Sequence, residues 1–236
     1  MLSFASMGQH NKWVEPARVD TTIQLSETVS AKLTPHKAIQ PDKYYLPYRL
    51  IDSLTAAQDN YYRKAIAIEK YQIRNLAGRV RREGNKLAVK LTSGKWRNLK
   101  DDPDLEEVWY TFEHYFQEHG FYSVRVQHAE GHKYILVNAD NGEITSLIGR
   151  PYFSPDGTRL IALGNDIEAG YSENGFQLLR NLNGKLTETG KYDPETWGCK
   201  SASWLNQNTL VLENESIEFI DSEMKYFSFF TRLDIL

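Results

Sequence analysis

The chain has 236 residues, of which 28 are Lys or Arg and 31 are Asp or Glu, so its formal net charge is −3. This length fits one domain with an extension or two small domains. The charge gives no basic excess, which argues against a nucleic-acid binder. Hydrophobic residues make up 41% of the chain and charged residues 25%, which excludes disorder of the whole chain. The single cysteine, Cys199, excludes a disulfide scaffold, and we expect a buried thiol there.

No apolar stretch of about 18 residues is present, so we expect no transmembrane segment. Residues 1–10 lack the basic start and the apolar core of a signal peptide. Two locations therefore stay open. The protein is periplasmic or envelope-associated if a leader has been removed, and it is cytoplasmic otherwise.

The first predicted unit, residues 1–50, has no regular apolar period and is punctuated by Pro16, Pro35, Pro41 and Pro47. This pattern predicts an extended, partly ordered arm or linker. Its aromatic residues at 44–48 are suited to docking onto the rest of the protein.

The second predicted unit, residues 51–78, is predicted to form one helix over about 52–75 with an N-cap at Asp52 or Ser53. Apolar residues recur there at helical spacing, which predicts one face that packs on the body. That stripe is Leu54, Ala57, Tyr61, Ala65 and Ile68.

The third predicted unit, residues 79–236, changes to a period of two and is read as a β-repeat domain. Three short strands are predicted over residues 80–99, four over 110–148, and further strands at 175–180, at 186–192 and towards the C-terminus. The turns between them contain Gly84, Gly94, Gly131, Gly142 and Gly184, and glycine supplies the positive φ that tight hairpin turns require. The expected meanders are therefore antiparallel.

Two segments, 150–163 and 201–212, share an order of features: an aromatic residue, a polar turn and an apolar strand. Phe153 precedes Ser-Pro-Asp-Gly in the first segment, and Trp204 takes the corresponding place in the second, 51 residues later. Pro155 and Gly157 suit the backbone angles of such a turn. The offset is close to the length of one propeller blade.

The segment Phe153–Gly157 with the following strand resembles the blades of TolB-type and WD40-like β-propellers. Residues 120–204 also resemble a group of uncharacterised exported bacterial proteins, through the segment Asp166–Tyr171 and the pair Trp197-Gly198. This resemblance implies a fold and says little about chemistry. Because a closed ring needs at least four blades and residues 79–236 suffice for about three, the expected body is a partial β-propeller-like or sandwich arrangement.

The four histidines His114, His119, His128 and His132 invite a zinc hypothesis, but strand alternation puts His128 and His132 on opposite sheet faces. No metal site is therefore expected there. The residues Asn138, Asp140, Asn141 and Glu143 lack the spacing of a calcium loop and are interpreted as a hairpin turn. No cofactor motif is present, and no cofactor is expected. The basic residues of 79–97 are read as a solvated strand face.

The candidate binding residues are an acidic loop and a set of aromatic residues, because loops on rigid scaffolds and exposed aromatics often form recognition surfaces. They are Asp166, Glu168, Tyr171, Glu173, Tyr122, Tyr134, Tyr152 and Trp197.

No catalytic motif is recognised, so the leading hypothesis is a non-enzymatic module that binds another protein, in a bacterial envelope. One alternative is an immunity or inhibitor protein whose acidic segments, 101–107 and 165–173, cover the basic cleft of a toxin. A second alternative is a hydrolase that uses Asp166 and Glu168, which would require a raised carboxylate pKa. The oligomeric state is left open.

Overall fold

The computed structural model describes residues 20–40, 44–76, 78–102, 107–221 and 223–236. Of these residues, 55% lie in strands and 10% in helices, and the sheets are antiparallel, which confirms the mainly β prediction. The predicted arm at residues 1–19 and 41–43 lies outside the described residues. Within the described ranges, no helix is both long and apolar enough to cross a membrane.

The N-terminal fifty residues contribute strands to the body. Strands β1 (Thr21–Gln24) and β2 (Ser30–His36) form a hairpin. The predicted arm is therefore extended in this part, and it belongs to a sheet with distant segments.

Two helices occupy the region where one was predicted. They are α1 (Tyr48–Thr55) and α2 (Tyr61–Ile73). The side chain of Asn60 accepts a hydrogen bond from the Arg63 N–H at 2.9 Å and starts a new helix, which a continuous pattern of apolar residues did not reveal. The predicted apolar face is confirmed in part, because Leu54, Ala65 and Ile68 are half-buried whereas Ala57 and Tyr61 are exposed.

The next three sheets are meanders of consecutive strands, as the turn residues indicate. The first sheet contains β3 (Val80–Glu83), β4 (Lys86–Lys90) and β5 (Trp96–Lys100). The second contains β6 (Val108–Phe116), β7 (Phe121–His128), β8 (Gly131–Asn138) and β9 (Ile144–Leu147). The third contains β10 (Arg150–Phe153), β11 (Arg159–Gly164), β12 (Gly175–Leu182) and β13 (Lys185–Tyr192).

The last sheet joins the two ends of the described chain. It contains β14 (Trp197–Trp204), β15 (Thr209–Ile220) and β16 (Glu223–Ile235), and its strand order is β1-β2-β16-β15-β14. Four sheets therefore form where about three were expected. The first sheet is short, and the last recruits β1 and β2 from the predicted arm.

The second sheet lies between two hydrophobic clusters, because alternate residues of its strands face opposite sides. One cluster joins it to the first sheet through residues such as Leu87, Leu99, Tyr122 and Val137. The larger cluster joins it to the third and last sheets, and its members include Phe121, Leu160, Phe176, Trp197 and Leu233.

Helix α2 is attached through a buried carboxylate as well as through Ile73, which packs against the cluster between the first two sheets. Glu69 is the one fully buried residue of α2. It accepts hydrogen bonds from Arg82 Nε at 2.5 Å, from Arg82 Nη2 at 2.9 Å and from the Phe112 N–H at 2.8 Å. Arg82 also donates to Asp101 at 2.9 Å, and Asp101 accepts from the Tyr110 N–H. This network joins α2 to the first two sheets.

The Ser-Pro-Asp-Gly turn has the predicted form. Gly157 has a φ of 70° and donates its N–H to the Ser154 carbonyl at 2.9 Å. Asp156 accepts from the Ser154 hydroxyl and from the Thr158 N–H. The segments 150–163 and 201–212 both fold as antiparallel hairpins, β10–β11 and β14–β15.

Candidate functional site

The four aromatic residues predicted to contact a partner are buried. Their exposed fractions are 0% for Tyr122, 4% for Tyr134, 3% for Tyr152 and 1% for Trp197. Tyr122 donates its hydroxyl to the Lys90 carbonyl at 2.6 Å, and Tyr134 donates to the Glu113 carboxylate at 2.9 Å. These residues pack the sheets together and do not supply exposed contact surface. Aromatic content alone did not separate core residues from surface residues.

The loop between β11 and β12 is organised by Asp166. Its carboxylate accepts hydrogen bonds from the backbone N–H groups of Ala169, Gly170 and Ser172, at 3.1, 3.0 and 2.6 Å. Partial burial alone would raise the pKa of Asp166, but these hydrogen bonds lower it below its ordinary value. A carboxylate held ionised in this way positions its own loop. It lacks the raised pKa that the hydrolase hypothesis requires.

The other three predicted loop residues each have a different neighbour. Glu168 accepts a hydrogen bond from the hydroxyl of Tyr226. Glu173 forms an ion pair with Lys191. Tyr171 is exposed, and its carbonyl lies against Gly131, where an added Cβ would come within 2.2 Å of it. Of the predicted loop, Glu168 is therefore the residue that faces the last sheet.

The hairpin of β15 and β16 extends beyond its neighbours. The pairing of β14 ends at Ser216, and the pairing of β2 ends at Phe230. Residues 217–220 and 223–226 consequently form a two-stranded ribbon whose strands pair with each other. Among the described residues, no other strand pairs with this ribbon.

One face of the ribbon is apolar and exposed. Ile217 lies opposite Tyr226, and Phe219 lies opposite Met224, so all four side chains are on the same face. Phe219 is 77% exposed, Tyr226 is 47% exposed and Met224 is 44% exposed. We call these four residues the tip surface. The aromatic residues at 226–230 do not show from the sequence alone whether this segment is a core strand or a docking edge.

A cleft of about 400 Å³ separates the tip surface from the acidic loop and the β13–β14 connection. The residues that line it are Ile167, Glu168, Glu195, Thr196, Ile217, Phe219 and Met224. Its lining combines four apolar side chains with one threonine and two carboxylates. Within the described part of the chain, neither Glu168 nor Glu195 has a lysine or arginine at ion-pair distance.

The histidines do not converge on one point. His132 pairs in register with Gln127, which places it on the opposite sheet face from His128 and confirms the predicted separation. Burial lowers the pKa of both His114 and His132 to about 4. The His132 ring lies 3.3 Å from the Ser172 hydroxyl. Among the described residues, no group of three His, Cys, Asp or Glu side chains is arranged to hold a metal ion.

A half-buried polar cluster that sequence reasoning missed joins the N-terminal segment to the body. Arg150 donates to Glu113 through Nε at 3.2 Å and through Nη2 at 3.1 Å. The Arg150 guanidinium lies 4.5 Å from the centre of the Tyr45 ring, and Tyr45 donates its hydroxyl to the Pro151 carbonyl at 2.6 Å. Because these partners are far apart in sequence, no local pattern could predict the cluster.

The basic residues of the first sheet make different contacts. Arg82 points inward to Glu69, whereas Arg81 stacks on Trp96 with its guanidinium 4.1 Å from the ring centre. Arg81 and Lys86 both pair with Glu83. The outer face of this sheet is thus partly neutralised, as expected of a solvated face.

Comparison with known proteins identifies no relative, since no family model, no curated protein and no solved structure matches the chain. The functional proposal therefore rests on the geometry of the tip surface and its cleft. These features suit the binding of a macromolecule that brings its own apolar side chains.

Proposed function

We propose that this protein is a non-enzymatic interaction module that binds another protein through the tip surface. The observation that supports this function is an apolar face, made of two cross-strand pairs, on a ribbon that no other strand flanks among the described residues. Contiguous exposed apolar residues rimmed by polar ones are typical of protein interaction sites. A long hairpin braced by a five-stranded sheet also holds such residues in a fixed geometry.

The proposal includes a propeller-like arrangement and a place in the bacterial envelope, as the resemblance to TolB-type repeat proteins implies. Three consecutive meanders followed by a larger sheet support the arrangement. The two matching hairpins at 150–163 and 201–212 support it as well. The location depends on the resemblance alone and stays a prediction.

Two observations favour this function over the alternatives. The pKa of Asp166 is lowered, which disfavours a hydrolase built on that residue. The immunity hypothesis relied on two acidic segments. Asp101 of the first is buried against Arg82, and Asp166 of the second accepts hydrogen bonds from its own loop, so these two carboxylates do not face a partner. Residues 103–106 of the first segment lie outside the described residues.

The test is a quantitative pull-down from the native organism with three baits: the wild type, the tip variant Phe219→Ser/Met224→Ser, and the control variant Leu182→Ser. Leu182 is also exposed but lies in the third sheet, so its substitution removes an apolar side chain at a different place. We expect one protein to be enriched by the wild type and by the control and lost by the tip variant. A partner retained by the tip variant, or no enriched partner at all, would contradict the proposed function.

A further inference from the structure

The charged residues around the tip surface are distributed unevenly, and their distribution favours one kind of partner. On the far face of the ribbon, Glu218 lies opposite Lys225. Glu215 is paired with Lys200 at 2.9 Å. The two carboxylates that line the cleft, Glu168 and Glu195, have no such cation among the described residues. Two carboxylates without an ion pair among the described residues therefore lie at the edge of the apolar face.

Glu168 is also oriented by a hydrogen bond. The Tyr226 hydroxyl donates to its carboxylate, and this hydrogen bond is the main reason that the pKa of Tyr226 is raised. This hydrogen bond orients the exposed Glu168 carboxylate towards a residue of the tip surface. A partner must meet an apolar patch and a negative charge beside it.

The size of the patch limits the shape of the partner. Directly paired residues of two strands have Cβ atoms about 5 Å apart, and alternate residues along one strand are roughly 7 Å apart. The tip surface is therefore a patch with room for two large side chains. Residues i and i+4 of a helix have Cβ atoms about 6 Å apart, so two apolar residues on one helix face match the patch.

We propose that the tip surface binds a cationic amphipathic helix of a partner protein, an inference that rests on the proposed function. Its apolar residues lie on Phe219 and Met224, and its lysine or arginine side chains lie against Glu168 and Glu195. An anionic lipid surface or a nucleic acid would be repelled by the same carboxylates. A second copy of this chain would bring the same two carboxylates together in a symmetric contact.

The experiment uses two synthetic peptides of equal length with leucines at identical helical positions. The remaining positions are lysine in one peptide and glutamate in the other. Each carries a fluorophore, and binding is measured by anisotropy against the full chain. We expect saturable binding of the lysine peptide, which weakens by at least tenfold between about 50 and 300 mM salt because the contact is electrostatic. We expect no binding of the glutamate peptide.

Four variants separate the two parts of the contact. Phe219→Ser/Met224→Ser removes apolar surface, and Leu182→Ser is its control. Glu168→Gln/Glu195→Gln removes the charge, and Glu118→Gln/Glu130→Gln makes the same change at exposed positions elsewhere. We expect each tip variant to bind the lysine peptide at least tenfold more weakly than its control. Urea unfolding of each variant verifies that it is folded.

Each result bears on the proposal in a definite way. Equal binding of the lysine peptide by a tip variant and its control would overturn the inference, as would tight binding of the glutamate peptide. A dimer in sedimentation that Phe219→Ser/Met224→Ser dissociates would also overturn it and assign the surface to a second copy. If neither peptide binds but the pull-down partner is lost by the tip variant, the proposed function stands and the helical cationic partner is excluded.

Discussion

The buried carboxylate of Glu69 offers the sharpest test of how α2 is attached. Its side chain is 1% exposed, and it accepts two hydrogen bonds from Arg82 and one from the Phe112 N–H. Glu69→Ala removes both carboxylate oxygens and with them three hydrogen bonds, which leaves a buried amide and a half-compensated guanidinium. Breaking a buried pair costs roughly 3–5 kcal/mol. Because Arg82 keeps its contact with Asp101 at 2.9 Å, we expect about 3 kcal/mol, at the lower end of that range.

The measurement is urea unfolding followed by circular dichroism, with Asp59→Ala as the matched control. Asp59 pairs with Arg63 on the surface of the same region, with both side chains more than 60% exposed, so its removal should cost at most about 0.5 kcal/mol. Around 3 kcal/mol corresponds to a fall in Tm of roughly 6–12 °C for a chain of this size. A double-mutant cycle with Arg82→Ala should give a coupling of at least about 1 kcal/mol. A cost no larger than that of the control would refute the carboxylate attachment.

Three further predictions concern the interior. Burial lowers the pKa of His114 and His132 to about 4, whereas in the unfolded chain these histidines have a pKa near 6.5. The free energy of unfolding should therefore be highest above pH 6.5 and fall as the pH is lowered from 6.5 to 4. The expected loss is about 2 kcal/mol per histidine at pH 5. Urea unfolding at pH 7 and pH 5 measures this fall, and a fall no smaller in His132→Asn would contradict the assignment. Gly149→Ala places a methyl group 1.7 Å from the Leu163 carbonyl oxygen. The Tm of this variant should therefore lie well below that of Gly84→Ala, in which only the positive φ is strained. Equal Tm values for the two variants would argue against the close approach. The buried thiol of Cys199, whose pKa burial raises, should react with a thiol reagent only after unfolding, and rapid labelling of the native protein would be inconsistent with this packing.

Most strands of the first three sheets were predictable, because the period of two and the turn residues are local signals. The hairpin at Ser154–Gly157 is an example, since one proline, one aspartate and one glycine determine its geometry. The strands β1 and β2 were not predicted, because their neighbour β16 lies at the other end of the chain. The break before α2 was missed because the Asn60 cap lies within a sequence of good helix formers.

The candidate site was predictable in part. The sequence indicated the loop at 165–173 as a candidate binding surface, and the structure places it beside the tip surface, but its residues were assigned one common role. Backbone hydrogen bonds give Asp166 a structural role, and the position of β16 gives Glu168 its place at the cleft. The tip surface depends on where β14 and β2 stop pairing, and that register is a property of tertiary structure.

The pairing of β2 with β16 has a consequence for synthesis of the protein. His36 and Phe230 are register partners separated by 194 residues. At about 5–20 residues per second, the ribosome needs roughly 10–40 s to supply the partner strand. Throughout that time the nascent hairpin β1–β2 has an open edge, and such an edge is prone to pair with other chains. An mRNA truncated before β16 would therefore yield a chain in which the first three sheets can form while this edge stays uncovered. Such a chain would aggregate in preference to functioning.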